Sequence, residues 1–157
     1  MMITLNIKQL LEHLRAQNYD AQFQELTHQV YIVFTIDHRE FPLFIKTDGE
    51  VLQLMIFMPC RVEQPVVPDL ARVLHLINKE LDLPGFGMDE NQGLVFYRGF
   101  IPSSNGKIES DLLDQILHSM IKLAPTFFPL IAYAVSGTAT FNKLVVRAKE
   151  TLTKLRT

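Results

Sequence analysis

The sequence predicts a single α+β domain over residues 1–157, in which an antiparallel sheet made of a meander and a second hairpin packs with helices. Three apolar, β-branched and aromatic runs of strand length follow one another between Gln29 and Pro59, joined by short polar turns. Two more such runs, Phe86–Asp89 and Gly93–Pro102, are joined by the acidic turn ENQ. Stretches with helical spacing precede, separate and follow these hairpins, and this segregation is typical of the α+β class.

The composition is that of an ordinary globular domain. Apolar residues make up 48% of the chain and charged residues 20%, which argues against disorder. Cys60 is the single cysteine, so an intramolecular disulfide and a metal site built on thiolates are both excluded. The N-terminal residues lack the uninterrupted apolar core of a secretory signal, so we expect a cytoplasmic protein.

The first helix is indicated by apolar residues at helical spacing. They are Ile7, Leu10, Leu11 and Leu14. Asn6 and Gln9 form a capping pair at its start, and residues 18–20 end it. A short strand over Ala21–Leu26 is a weaker prediction.

The meander consists of the runs QVYIVFTI, FPLFIKT and EVLQLMIFMP. Asp48-Gly49 joins the second run to the third, and it predicts a tight hairpin turn with φ > 0 at both central positions. The runs do not alternate between apolar and polar residues, whereas an antiparallel sheet that is wet on one side does. We therefore expect both faces to be covered: one by helices, the other by a partner subunit or by the C-terminal helices.

Three further helices are predicted. Pro68-Asp69 opens the second one after a proline-rich connection. The third carries an apolar stripe that starts at Ile108 and ends at Leu123, and the last carries a stripe from Phe141 to Leu155.

Between the third and fourth stripes lies an uncharged run, Leu123–Asn142. Its prolines, Pro125 and Pro129, predict that the third helix ends and that a short buried helix over Phe127–Val135 follows, with Gly137 as its C-cap. Nine strongly apolar residues are too few to cross a bilayer, so we expect no membrane span.

Three segments carry a resemblance to a known family. LARVLHLINKEL followed by FGMDENQGLVFYRGFIP, the segment FFPLIAYAVSG, and the meander FPLFIKTDGEVLQLMIFMP resemble the YbjN family, whose members share the fold of type III secretion chaperones. The similarity extends from Leu5 to Ala148. It implies a compact α+β fold, a homodimer, and a role in protein binding or regulation without catalysis.

No pattern predicts a catalytic, cofactor-binding or metal site. The histidines have none of the spacings expected of metal ligands, and no histidine or asparagine lies near Cys60 in sequence. Arg98 lies inside a predicted strand, where we expect it to form a structural ion pair. Residues 143–157 carry five basic side chains and one acidic, which suits an acidic partner or a solvated helix face, but a pI near 6.2 argues against nucleic-acid binding.

The leading hypothesis is a non-catalytic protein-binding module, chaperone-like or a regulatory adaptor, that acts as a homodimer and binds a protein or peptide. The predicted interaction residues are Phe44, Met55, Phe57, Phe127, Phe128, Ile131 and Tyr133. The alternative is a small-molecule or lipid binder with an apolar cavity lined by Phe127–Val135.

Overall fold

A computed structural model describes residues 1–81 and 85–156. The helices and strands, in chain order, are β1 (Met2–Thr4), α1 (Ile7–Ala16), β2 (Gln22–Gln24), β3 (Gln29–Ile36), β4 (Arg39–Thr47), β5 (Val51–Phe57), α2 (Val67–Asn78), β6 (Gly85–Asp89), β7 (Leu94–Pro102), β8 (Lys107–Glu109), α3 (Ser110–Val135) and α4 (Phe141–Arg156). A short 3₁₀ helix, Gln64–Val66, precedes α2.

The main sheet has six strands in the order β2-β3-β4-β5-β7-β6, and every neighbouring pair is antiparallel. The predicted α+β class, with its meander and second hairpin, is confirmed. The strands β1 and β8, which form a separate pair, were not predicted because three residues give too little pattern. Ile108 pairs with Ile3 in this small sheet, so its predicted place in the third helix is wrong.

The two turns of the meander differ from the prediction in an instructive way. Both Asp37 and His38 have positive φ, so the tight turn with two left-handed residues joins β3 to β4. At the predicted tight turn, only Gly49 has positive φ, and the Asp48 carboxylate accepts hydrogen bonds from the N–H groups of Glu50 and Val51. An Asx-type loop therefore replaces the expected type I′ turn.

The start of α1 follows its sequence signature. The Asn6 side chain accepts a hydrogen bond from the Gln9 N–H at 2.9 Å, which confirms the predicted N-cap. The Gln9 side chain reaches back past the cap and accepts from the Thr4 N–H at 2.8 Å. This second bond ties the helix to the end of β1.

The helices cover one face of the main sheet. Alternate strand residues such as Ile32, Leu43 and Leu54 are buried together with the apolar sides of all four described helices in one cluster. Their neighbours Val33, Phe44 and Met55 on the opposite face are half-buried or exposed. The prediction that the C-terminal helices cover the second face is therefore wrong, because every described helix packs on the same side. The other predicted cover, a partner subunit, stays a prediction.

The helix α3 runs without a break through both prolines, so the predicted helix end and the separate short helix are wrong. Each proline removes one backbone hydrogen bond, at the carbonyls of Ile121 and Pro125. Residues 121, 125 and 129 lie four apart on the less buried side, where water can satisfy those carbonyls. Burial of the opposite side, including Phe127 and Ile131, holds the helix together.

By length and composition alone, α3 could cross a membrane. One side of it, however, is buried against the sheet from Leu113 to Ala134, as in the core helix of a globular domain. The expectation of no membrane span stays a prediction.

Candidate functional site: an aromatic sheet face

The second face of the main sheet is the candidate site, and we refer to it as the open face. The strict alternation of side chains in a strand places every second residue of β3, β4, β5 and β7 there. Its central residues are Tyr31, Val33, Phe44, Met55, Phe57, Phe96, Arg98 and Phe100. Aromatic residues, methionine and arginine are the side chains enriched in the cores of protein–protein interfaces.

Four aromatic rings form a continuous row across the four strands. The ring of Tyr31 lies 6.2 Å from that of Phe44, Phe44 lies 5.8 Å from Phe57, and Phe57 lies 6.3 Å from Phe96, measured between centroids. These separations are those of favourable aromatic pairs. At the far strand, the Phe96 ring covers Gly87, where an added Cβ would come within 2.7 Å of the ring. The absence of a side chain at Gly87 therefore leaves the space that the Phe96 ring occupies.

Arg98 lies at the end of the row, where its guanidinium contacts two aromatic rings. Its guanidinium carbon lies 5.4 Å from the centroid of Phe96 and 5.2 Å from that of Phe100. Within residues 1–81 and 85–156, no carboxylate lies within ion-pair distance of Arg98, so the predicted structural ion pair is not found there. An exposed cation between two rings is instead available for a contact outside the chain.

The two ends of the open face differ in charge. Glu40 lies at one end of β4 and Lys46 at the other, with Phe44 between them on the same face. Asp89, the last residue of β6, is at the same end as Glu40, since β6 and β4 run in opposite directions. A shallow groove of about 350 Å³ lies beside Lys46, Phe44 and Met55.

One edge of the sheet is closed. The Asn78 side chain donates to the Phe86 carbonyl and accepts from the Phe86 N–H, both at 2.8 Å. It thereby satisfies the outward N–H and C=O of Phe86, as a neighbouring strand would. At the other edge, β2 has three residues. Extension of the sheet by another strand is therefore disfavoured at β6.

The structure places the predicted interaction residues on the open face, in the core and on the outer side of α3. Phe44, Met55 and Phe57 lie on the open face, as the sequence suggested. The remaining four, Phe127, Phe128, Ile131 and Tyr133, lie on α3, away from that face.

Phe127 and Ile131 are fully buried, and Phe128 nearly so. They pack against the sheet from the helix side: the Phe127 ring lies 5.6 Å from Phe86, and the Phe128 ring 5.7 Å from Phe41. Their assignment to an interaction surface is corrected, because they fill the core of the chain itself. Side chains with no exposed area also leave no space beside them for the predicted ligand cavity.

Tyr133 is half-buried and lies under the Arg147 guanidinium of α4, 5.3 Å from its carbon. It ties the last two helices together on the far side of the molecule.

Four residues of the site were missed from the sequence: Tyr31, Val33, Phe96 and Phe100. Each lies in a run with few polar residues, so the alternation was incomplete. The signal lay in those few, since Thr35, Gln53 and Arg98 occupy the same set of alternate positions as the missed residues.

Cys60 and His13 are two titratable groups that lie away from the open face. Burial raises the pKa of the Cys60 thiol to about 11, the opposite of what a nucleophilic thiolate needs. His13 Nε2 lies 2.7 Å from Asp114 Oδ1, a hydrogen-bond distance, and this contact joins α1 to α3, with the His13 side chain almost buried. Among the described residues, no group of three or more histidine, cysteine, aspartate or glutamate side chains could hold a metal ion.

The comparison with protein families agrees with the fold. A family model described as "YbjN: Putative bacterial sensory transduction regulator" matches residues 6–132, well over half of the chain. The chain belongs to the YbjN family. That description names a regulator and no catalytic activity. The matched region contains the whole main sheet, and α4 lies beyond it. No curated protein matches the chain.

Proposed function

We propose that this YbjN protein is a non-catalytic regulatory module that works by binding protein through its open face. The observation that carries the proposal is the aromatic row, which ends in Arg98 and leaves Phe100 52% exposed. Monomeric proteins rarely expose such a contiguous apolar patch without a binding role. The description of the family as regulators supports the same function.

The chemistry of the open face favours a protein partner over a small ligand. Small-molecule sites are concave and enclose most of the ligand. The hollows on this face, about 350 Å³ beside Phe44 and about 470 Å³ beside Arg98, are instead shallow and open to solvent. Large flat aromatic surfaces supply contact area with little loss of side-chain entropy, as in the hot spots of protein interfaces. The homodimer and the cytoplasmic location expected from the sequence form part of this proposal, as does a chaperone-like or adaptor role toward an extended partner.

Site-specific photocrosslinking in cells tests the proposal. A photoreactive phenylalanine analogue replaces Phe100 on the open face and, as a matched control, Val146 on α4, whose exposure of 57% is close to the 52% of Phe100. We expect discrete protein adducts from position 100 and few from position 146. Equal, weak labelling from both positions contradicts a binding role for the open face.

A further inference from the structure

We propose that the occupant of the open face is a second copy of this chain, packed sheet against sheet with the facing strands antiparallel. This inference rests on the proposed binding role of that face. It specifies a two-fold axis that lies in the interface and runs across the strands. Sheets that pack face to face keep their strand directions nearly aligned, so such an arrangement is a standard solution for covering an apolar face.

The charges of β4 support this axis. An axis that crosses β4 at Leu43 exchanges positions that lie equally far on either side of it. Glu40 and Lys46, each three residues from Leu43, then meet Lys46 and Glu40 of the partner subunit. Because a two-fold interface is isologous, both complementary contacts form at once.

The rest of the face matches the same axis. Register places Ile56 and Tyr97 at the level of Leu43, so the axis passes over them as well. Phe96 and Arg98 flank Tyr97 on β7 and are therefore exchanged. Arg98 comes to lie opposite the partner subunit's Phe96, which extends across the interface the cation–ring contact already present within the chain.

The alternative axis, parallel to the strands, lacks this complementarity. It sets each end of the sheet against the same end of the second copy, so Glu40 lies at the same end as Glu40 of the partner subunit and the contact between Glu40 and Lys46 is lost. Association through the β6 edge is also disfavoured, because Asn78 occupies the outward backbone N–H and C=O of Phe86 in the first half of that strand.

Charge reversal tests the arrangement by sedimentation equilibrium at low salt. Glu40→Lys and Lys46→Glu each create two like-charge contacts, so each variant alone is expected to raise the dimer dissociation constant about tenfold or more. An equimolar mixture of the two variants restores dimers, because in the mixed dimer both contacts pair opposite charges. The double variant restores them as well. Both positions are exposed, so the fold tolerates the changes, and circular dichroism verifies this.

Lys143→Glu on α4 is the control, which changes the net charge equally and is expected to leave the dissociation constant unchanged. The antiparallel dimer is overturned if the chain stays monomeric at about 100 μM, or if mixing the two single variants does not restore dimers. Photocrosslinking from position 100 separates this failure from that of the proposed function. If position 100 gives adducts to another protein and none at twice the chain mass of 18.0 kDa, the dimer is contradicted and the binding role of the open face is retained.

Discussion

The two faces of the main sheet are formed by the same strands, yet helices cover only one of them. The helix side is mostly aliphatic, with Leu43, Leu54 and Ile56 almost completely buried. The open face is aromatic, with Phe44 and Phe57 in a row of rings. Aliphatic side chains interdigitate with a helix layer at close packing, whereas rings cover area with few rotatable bonds. Residue type alone does not identify the core, because Phe41, Phe86 and Tyr97 are buried on the helix side; the cover of helices does.

The largest expected effect separates the two faces directly. Leu43→Ala removes a side chain from the core, and we expect it to lower the free energy of unfolding by about 2–5 kcal/mol. Phe44→Ala, one residue along the same strand, removes a larger side chain but leaves no closed cavity, so we expect a cost of about 1 kcal/mol in the monomer. Urea unfolding at low protein concentration measures both. Equal losses for the two variants contradict the distinction between the faces.

A second comparison concerns two turns with positive φ. At Gly93, φ is +70° and an added Cβ would lie 2.6 Å from the carbonyl oxygen of Val62, on the buried side. At Gly49, φ is +94° and the Cβ position is open. Both alanine variants are strained, but Gly93→Ala also pushes backbone against backbone. We expect Gly93→Ala to cost about 2–3 kcal/mol and Gly49→Ala about 1 kcal/mol, measured by thermal unfolding. A larger loss at Gly49 would show that packing around Val62 is loose.

These contrasts also show what the sequence could and could not reveal. The boundaries of β3 and the N-cap at Asn6 followed from local pattern, because strand runs and capping side chains act on their own neighbours. The course of α3 did not follow, since the burial of Phe127 and Ile131 outweighed the local effect of Pro125. The open face was recognised only in part, through Phe44, Met55 and Phe57, because which side of a largely apolar strand is covered depends on helices far away in the sequence.

A smaller effect is expected from the exposed side of α3. Pro129→Ala restores a backbone N–H within a continuous helix and removes a residue that costs about 3 kcal/mol relative to alanine in a helix interior. Because proline also stiffens the unfolded chain, we expect a net gain of about 1–2 kcal/mol in the free energy of unfolding. Urea unfolding measures the gain, and Thr126→Ala, beside the prolines, is the control. A loss of stability in Pro129→Ala would mean that the ring itself makes a needed contact.

The smallest expected effect concerns the thiol of Cys60, a half-buried residue that follows β5. Desolvation raises the pKa of this thiol from 9.0 to about 11, so the native state favours the neutral form. The contribution of Cys60 to the free energy of unfolding is therefore constant below pH 9, and the native state loses stability relative to the unfolded chain as the pH rises from 9 to 11. At pH 8, alkylation of the native protein is expected to be about 100-fold slower than that of the urea-unfolded chain, because a pKa higher by about two lowers the thiolate fraction that much. Mass spectrometry of iodoacetamide-treated samples follows the rates. Comparable rates in the two states would show that water reaches the Cys60 thiol in the native protein.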